Sequence, residues 1–135
     1  MYTFETTVRV RYAETDQMGY VYYGNYAAFY EVGRVELFRS LGFSYKALED
    51  RGVMMPVLEL YSRFLKPSRY DEEITVRTHL KEKPGVKIRF EYELLNQQRE
   101  LLNTGSTTLV FVDMKRNKPC VAPPDFMERL AAYFD

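Results

Sequence analysis

The residues best suited to chemistry lie in one short stretch, residues 15–26. Asp16 falls in a predicted turn, and Gly19 and Gly24 allow backbone conformations that other residues resist. The stretch leads directly into a predicted helix, and the first turn of a helix has unpaired N–H groups and a partial positive charge. A carboxylate a few residues from such an anion-stabilising helix end is a combination from which acyl-transfer chemistry can be built.

Two acidic residues are candidates for this chemistry, and each has a structural alternative. Asp16 could instead be an ordinary turn residue, because aspartate side chains routinely accept hydrogen bonds from the backbone of the same turn. Glu31 lies among aromatic residues of the predicted helix, but it could simply pair with Arg34 or Arg39 on that helix. Spacing alone leaves these alternatives open.

Other types of catalytic site lack their residues. The one histidine, His79, falls on the polar face of a predicted strand, where we expect a solvated surface residue. The one cysteine, Cys120, excludes an internal disulfide, and the chain has too few histidines and cysteines for a zinc site of those residues. Neither a nucleophile elbow nor a phosphate-binding glycine loop occurs. Carboxylates, tyrosines and backbone dipoles remain, and we predict no metal site.

Composition predicts a globular domain of 135 residues, with 46% apolar residues and a formal net charge of zero. Neither a basic excess nor a basic block is present, so we do not expect nucleic acid as a partner. No apolar run is long enough for a membrane span, and the N-terminus does not resemble a signal peptide. These features predict a cytoplasmic protein.

The elements that must position Asp16 are a strand before it and a helix after it. Residues 3–12 alternate in polarity as a half-buried strand does, with Val8, Val10 and Tyr12 on one side. From about Asn25, a plausible N-cap, the period becomes helical and continues to Gly42, a plausible C-terminal stop. The predicted buried face of this helix comprises Tyr26, Phe29, Tyr30, Gly33, Leu37 and Leu41. Gly33 indicates that the helix lies tight against a sheet.

The rest of the chain predicts a short helix and then mainly strands. Ser44 can cap a helix over residues 45–51, and a strand interrupted by Pro56 is predicted for residues 53–66. Alternating strands follow at 73–82, 86–96 and 101–113, and a last helix covers 125–134. One long helix against a mostly antiparallel sheet is an α+β fold, and we expect a single domain over 1–135.

Residues 10–26 resemble the signature of the hotdog-fold acyl-CoA thioesterases. The closest group is the 4-hydroxybenzoyl-CoA thioesterase type, which includes the thioesterases associated with the Tol-Pal system. Residues 30–36 match the continuation of the helix in that family. Lys66-Pro67 resembles the family's turn after a strand, and residues 109–113 resemble its last strand.

The resemblance implies a five-stranded antiparallel sheet wrapped around one long central helix. It also implies a homodimer, often associated further into a tetramer, with active sites at the subunit interface. By the same resemblance, Asp16 is the catalytic nucleophile or general base, and the backbone N–H of Tyr23 polarises the thioester carbonyl. Glu31 matches a position that in some members faces the acyl group, and we also expect Gly19, Tyr22 and Asn25 at the substrate.

The implied reaction is hydrolysis of an acyl thioester without a cofactor, coenzyme A being part of the substrate. Many Tol-Pal-associated members have histidine where this chain has Tyr23, whereas tyrosine occurs in the aromatic-acyl branch, so the acyl group stays open. Three alternatives remain: an acyl-carrier-protein substrate, a non-catalytic acyl-thioester binding protein and a hotdog dehydratase. The dehydratase is disfavoured because such enzymes use a histidine near the helix, and residues 13–45 contain none.

Overall fold

A computed structural model of the chain describes residues 1–134. Its helices and strands, in chain order, are β1 (Tyr2–Arg9), α1 (Tyr26–Ser40), α2 (Tyr45–Asp50), β2 (Val53–Met54), β3 (Val57–Phe64), β4 (Glu73–Leu80), β5 (Lys87–Leu95), β6 (Leu101–Val110), β7 (Val112–Asp113), β8 (Lys118–Pro119) and α3 (Pro124–Leu130). Single turns of 3₁₀ helix cover Tyr12–Glu14, Tyr23–Asn25 and Ala131–Tyr133. The predicted domain range of 1–135 also includes Asp135, which lies outside the described residues.

The main sheet has five antiparallel strands in the order β1-β4-β5-β6-β3, and α1 packs across β1, β4 and β5. Strands β2, β7 and β8 form a second, small sheet. Along β4 the burial alternates strictly, and the residues facing α1 are Ile74, Val76, Thr78 and Leu80. This period of two matches the predicted strand, and the whole arrangement confirms the α+β hotdog fold.

The long helix approaches the sheet closely at Gly33. An added Cβ at Gly33 would lie 2.7 Å from Val76 Cγ1 and closer still to Thr78 Oγ1, both on β4. All six residues predicted for the buried face of this helix are buried. Gly42, with a φ of +87°, ends the helix where the sequence predicted its stop, because glycine adopts this left-handed conformation without strain.

Tyr30 fixes the depth of α1 over the other half of the sheet, where it contacts β5, β6 and β3. Its hydroxyl contacts Ser62 Oγ at 2.7 Å and donates to Asn103 Oδ1, and its ring stacks on Tyr92 with centroids 4.3 Å apart. A Cβ on Gly105 would collide with this ring. Burial raises the pKa of Tyr30 to about 12, so the hydroxyl stays neutral and keeps its donor.

Some local predictions were wrong. β1 ends at Arg9, and Tyr12, predicted on the buried side, is 78% exposed because the chain has already turned into the 3₁₀ turn Tyr12–Glu14. The turn closes on itself, since the Glu14 carboxylate accepts the Arg11 N–H at 2.7 Å. The last helix ends at Leu130 and continues only as a 3₁₀ turn.

Within residues 1–134, no helix has both the length and the apolar character needed to cross a membrane.

We predict that Gly33→Ala lowers the free energy of unfolding by about 1–2 kcal/mol. Overpacking at a tight contact costs roughly 1–3 kcal/mol, of which the better helix propensity of alanine recovers about 1 kcal/mol at most. Chemical denaturation measures the difference. Gly85→Ala is the matched control, because a Cβ at Gly85 meets nothing within 4 Å. Equal stability of the two variants would contradict the tight contact.

Candidate active site

Asp16 is held by the turn that follows it. Its Oδ1 atom accepts the backbone N–H groups of Met18 at 3.0 Å and Tyr20 at 3.2 Å, and the Gly19 N–H returns to the Asp16 carbonyl at 2.9 Å. Gly19 has a φ of +83°, which closes the turn. The other carboxylate oxygen, Oδ2, forms no hydrogen bond within residues 1–134. The structural role foreseen for Asp16 is therefore present, and it leaves one oxygen available.

The start of α1 is tied to the same loop through one carbonyl group. The Glu14 carbonyl accepts both the Tyr22 N–H and the Asn25 Nδ2–H, each at 2.8 Å. Asn25 occupies the predicted N-cap position, but its side chain makes this bond instead of capping the helix. A 3₁₀ turn begins at Tyr23, and a first-turn N–H has no partner inside its own helix. The Tyr23 N–H is therefore positioned as a free donor.

Asp16 and Tyr23 border the same cavity of about 260 Å³. Its walls are mostly apolar and come from the turn, the helix start and the end of β3, and the lining residues are Asp16, Met18, Tyr20, Val21, Tyr23, Tyr26, Phe64, Leu65, Lys66 and Pro67. A largely apolar cavity with one free carboxylate oxygen and a helix N-terminus can hold an acyl group beside a base and an oxyanion donor.

Aromatic rings give this cavity its shape. The Phe64 ring meets the Tyr26 ring edge-on with centroids 5.0 Å apart, and the Tyr23 ring in the same manner at 6.4 Å. Burial, assisted by the nearby Glu72 carboxylate, raises the pKa of Tyr26 and keeps its hydroxyl neutral. The Lys66 ammonium at the rim pairs with Glu100. Apart from the Asp16 carboxylate, the cavity therefore presents mainly neutral aromatic and aliphatic surface, with the Lys66 ammonium at its edge.

Four other residues predicted at the substrate do not line this cavity. Gly19 and Asn25 shape the loop and the helix start, and the Tyr22 ring lies against Tyr23, with centroids 4.6 Å apart. Glu31 is exposed on α1 and pairs with neither arginine proposed for it: the Arg34 Nε–H donates to the Tyr45 hydroxyl at 2.9 Å, and Arg39 pairs with Glu36. Their substrate-binding roles stay predictions.

His79 is not the solvated residue that the sequence predicted. Its side chain is 14% exposed, with Nδ1 2.8 Å from Thr3 Oγ1 and Nε2 2.7 Å from a Glu93 carboxylate oxygen. Residues from the strands on both sides cover the ring, which the alternation pattern of one strand cannot reveal. The ring lies on the face of β4 opposite Val76 and Thr78, so the sheet separates it from α1.

Another cavity, of about 610 Å³, lies between α2 and α3 and contains none of the predicted site residues. Arg51 and Asp125 meet there in a bidentate ion pair with both distances at 2.9 Å. In the described part of the chain, no three histidine, cysteine, aspartate or glutamate side chains converge as metal ligands would. The geometry therefore favours the smaller cavity beside Asp16 as the site.

Comparison with known proteins identifies the family. The model of the thioesterase-like superfamily matches residues 10–130. The chain belongs to this superfamily. It is 36% identical to the putative acyl-CoA thioesterase YneP of Bacillus subtilis over 133 residues, which cover 98% of this chain and 96% of YneP. It is also 33% identical to the acyl-CoA thioester hydrolase YbgC of Escherichia coli, over 89% of this chain and 90% of YbgC.

Solved structures of other thioesterases have the same fold as this chain. The DHNA-CoA thioesterase from Staphylococcus aureus superposes with a TM-score of 0.93 at 35% identity, covering 98% of this chain and 91% of that one. A 1,4-dihydroxy-2-naphthoyl-CoA thioesterase from Synechocystis superposes with a TM-score of 0.89 over 96% of both chains. Its identity is only 18%, so it supports the fold alone.

Sequence reasoning missed the far wall of the cavity, Phe64 to Pro67. These residues are distant from Asp16 in sequence, and the contact depends on where β3 ends in the sheet. The one available signal was the resemblance of Lys66-Pro67 to a family segment, which gave no reason to place it at the site. The link between the walls is the bond from the Val21 N–H to the carbonyl of buried Ser68, at 2.7 Å.

We predict that Asn25→Asp lowers the free energy of unfolding by about 1–3 kcal/mol, because a carboxylate oxygen replaces the donor that faces the Glu14 carbonyl. A negative charge at the helix start regains only about 0.3–1 kcal/mol. Thermal and chemical unfolding measure the loss. The exposed amide-to-acid change Gln98→Glu is the control, and a loss no larger than in that variant would mean that the Asn25 bond does not hold the loop.

Proposed function

We propose that the protein is an acyl-CoA thioesterase that hydrolyses the thioester at the cavity beside Asp16. The observation that carries the proposal is the position of the free Asp16 Oδ2 atom and the Tyr23 N–H at one apolar cavity. The relatives YneP and YbgC, named as a putative acyl-CoA thioesterase and an acyl-CoA thioester hydrolase, support the same reaction.

In the proposed mechanism the acyl group enters the cavity with its carbonyl oxygen toward the Tyr23 N–H. Attack on the carbonyl carbon places negative charge on that oxygen, and the N–H and the helix start stabilise it. One such donor is worth roughly 10²–10³ in rate. The carbon–sulfur bond then breaks, the thiolate takes up a proton to leave as free coenzyme A, and the acid product keeps an oxygen from water.

Asp16 has two possible roles in this reaction. It can attack the carbonyl itself through Oδ2, giving a mixed anhydride that water then hydrolyses. It can instead take a proton from a water molecule that attacks the carbonyl, a general-base role worth about 10²–10⁴ in rate. In both cases Oδ1 stays bound to the Met18 and Tyr20 N–H groups, so the turn holds the reacting oxygen in place.

We predict that Asp16→Asn lowers kcat at least about 100-fold against acyl-CoA substrates while the protein stays folded. Asparagine keeps the Oδ1 acceptor that the turn needs, but it provides neither a nucleophile nor a base. Released thiol measures the rate, and circular dichroism checks the fold. Asp50→Asn, in the exposed pair with Lys46, is the matched control. Near-native hydrolysis by Asp16→Asn would refute the catalytic assignment.

The same assay separates the remaining alternatives. Matched acyl thioesters of coenzyme A and of acyl carrier protein compare the two carriers, and faster turnover on the carrier protein would favour that substrate. Binding of acyl-CoA by the purified wild-type protein without any released thiol would favour the non-catalytic binding protein.

We further propose that the acyl group is compact and aromatic. The cavity of about 260 Å³ lies below the range of roughly 300–1,000 Å³ typical of pockets for whole drug-sized ligands, so it suits the acyl part alone. Its walls present the rings of Tyr23, Tyr26 and Phe64, which pack well against a flat ring. The S. aureus relative, named for DHNA-CoA, also acts on a coenzyme A thioester.

We predict that Tyr23→Ala raises the KM for benzoyl-CoA or naphthoyl-CoA about 2- to 12-fold and changes kcat little. The variant loses ring contact with the acyl group, worth about 0.5–1.5 kcal/mol, but keeps the backbone N–H. Steady-state kinetics on aromatic, short and long acyl-CoAs measure both constants. Tyr12→Ala, an exposed tyrosine outside the cavity, is the control. A preference of the wild-type protein for long straight chains would contradict the aromatic assignment.

A further inference from the structure

The Tyr22 ring packs against the Tyr23 ring instead of lining the cavity beside Asp16. Their centroids are 4.6 Å apart, and the Tyr23 ring also meets the Phe64 ring edge-on at 6.4 Å. Tyr23 is 66% exposed, and an exposed tyrosine can change its side-chain rotamer unless its neighbours prevent it. The two neighbouring rings therefore determine where the Tyr23 ring lies in the cavity wall.

The main chain of Tyr22 is anchored, so its side chain leaves the loop from a fixed point. Its N–H donates to the Glu14 carbonyl at 2.8 Å, and its own carbonyl accepts the Asn25 N–H at 2.9 Å. Both bonds lie in the segment that joins the Asp16 turn to α1. The Tyr22 ring therefore has a fixed support from which it can hold its neighbour.

Gly24 leaves the space that the Tyr22 ring occupies. An added Cβ at Gly24 would lie 2.7 Å from Tyr22 Cε2 and 3.1 Å from Tyr22 Cδ2, so the ring would have to move. The backbone does not require glycine here, because Gly24 lies in a 3₁₀ turn and, unlike Gly19, has no positive φ. What glycine provides at this position is therefore the missing side chain.

We propose that Tyr22 is a positioning residue. Its ring, resting on Gly24, holds the Tyr23 ring in the wall of the cavity and so determines how well an aromatic acyl group fits there. Tyr22 acts through Tyr23 and does not touch the substrate. The effect on the substrate rests on the proposed function, whereas the arrangement of the three residues does not.

Steady-state kinetics on benzoyl-CoA test this role. Tyr22→Ala should raise KM by no more than the roughly 2- to 12-fold expected for Tyr23→Ala, with kcat nearly unchanged, because Asp16 and the Tyr23 N–H are kept. Tyr22→Phe keeps the ring and should stay within about twofold of wild type. An unchanged KM in Tyr22→Ala, an equal loss in Tyr22→Phe, or a fall in kcat as large as the rise in KM would overturn the positioning role.

The double variant Tyr22→Ala/Tyr23→Ala shows whether Tyr22 acts through its neighbour. Without the Tyr23 ring there is nothing left to position, so the double variant should match the KM of Tyr23→Ala within about twofold. A KM raised by the product of the two single effects would overturn the role, because Tyr22 would then contact the substrate itself.

Gly24→Ala tests the seat of the ring. Alone, it should raise the KM for benzoyl-CoA, because its Cβ displaces the Tyr22 ring. In a Tyr22→Ala background, the same change should have no further effect. An effect that persists in that background would overturn the role of Gly24, because the glycine would then serve the backbone. Gly85→Ala is the matched control, since a Cβ there meets nothing within 4 Å.

A structural measurement tests the ring positions without turnover. In nuclear Overhauser spectra of the whole protein, the contact between the Tyr23 and Phe64 rings should be present in wild type and Tyr22→Phe and lost in Tyr22→Ala. Its persistence in Tyr22→Ala would overturn the positioning, whether or not the protein hydrolyses thioesters. A protein that loses the contact as expected but releases no thiol in wild-type form would refute the proposed function alone.

Discussion

The distance between α1 and the main sheet is the constraint on which the rest of the structure depends. Gly33 lets the helix backbone lie against Val76 and Thr78, and Gly105 leaves room for the Tyr30 ring under the helix. The Tyr30 hydroxyl then bonds to Ser62 and Asn103, which lie on β3 and β6. Close packing and a buried hydrogen-bond network therefore set the height and the rotation of α1 together, and the position of its N-terminus follows.

The candidate site uses that fixed helix end and brings a turn to it. The Glu14 carbonyl accepts bonds from Tyr22 and Asn25, and Asp16 is bound by the turn through only one of its oxygens. The structural and the catalytic interpretations of Asp16 are thus compatible. A carboxylate already held by two backbone N–H groups loses little conformational entropy when its other oxygen takes part in a reaction. Such a carboxylate is preorganised.

Much of the fold followed from periodicity, because one face of each of these elements is buried. The alternation in β4 and the helical period of α1 are direct consequences of burial, and Gly33 correctly indicated a tight contact. The same patterns could not show that Tyr12 turns outward or that strands on both sides enclose His79, since these depend on a turn and on neighbours in space. A local motif predicted Asp16 and Tyr23, which border the cavity, whereas Phe64 reaches the cavity only through sheet topology.

Tyr23 contributes two separate things to the cavity: a main-chain N–H at the helix start and an aromatic ring in the wall. Nearly every amino acid would supply the same N–H, and proline alone would remove it. A single substitution at this position can therefore reshape the cavity wall while the N–H that we propose as the oxyanion donor is kept. If the proposed roles hold, related proteins can change their substrate at this position and keep the same reaction.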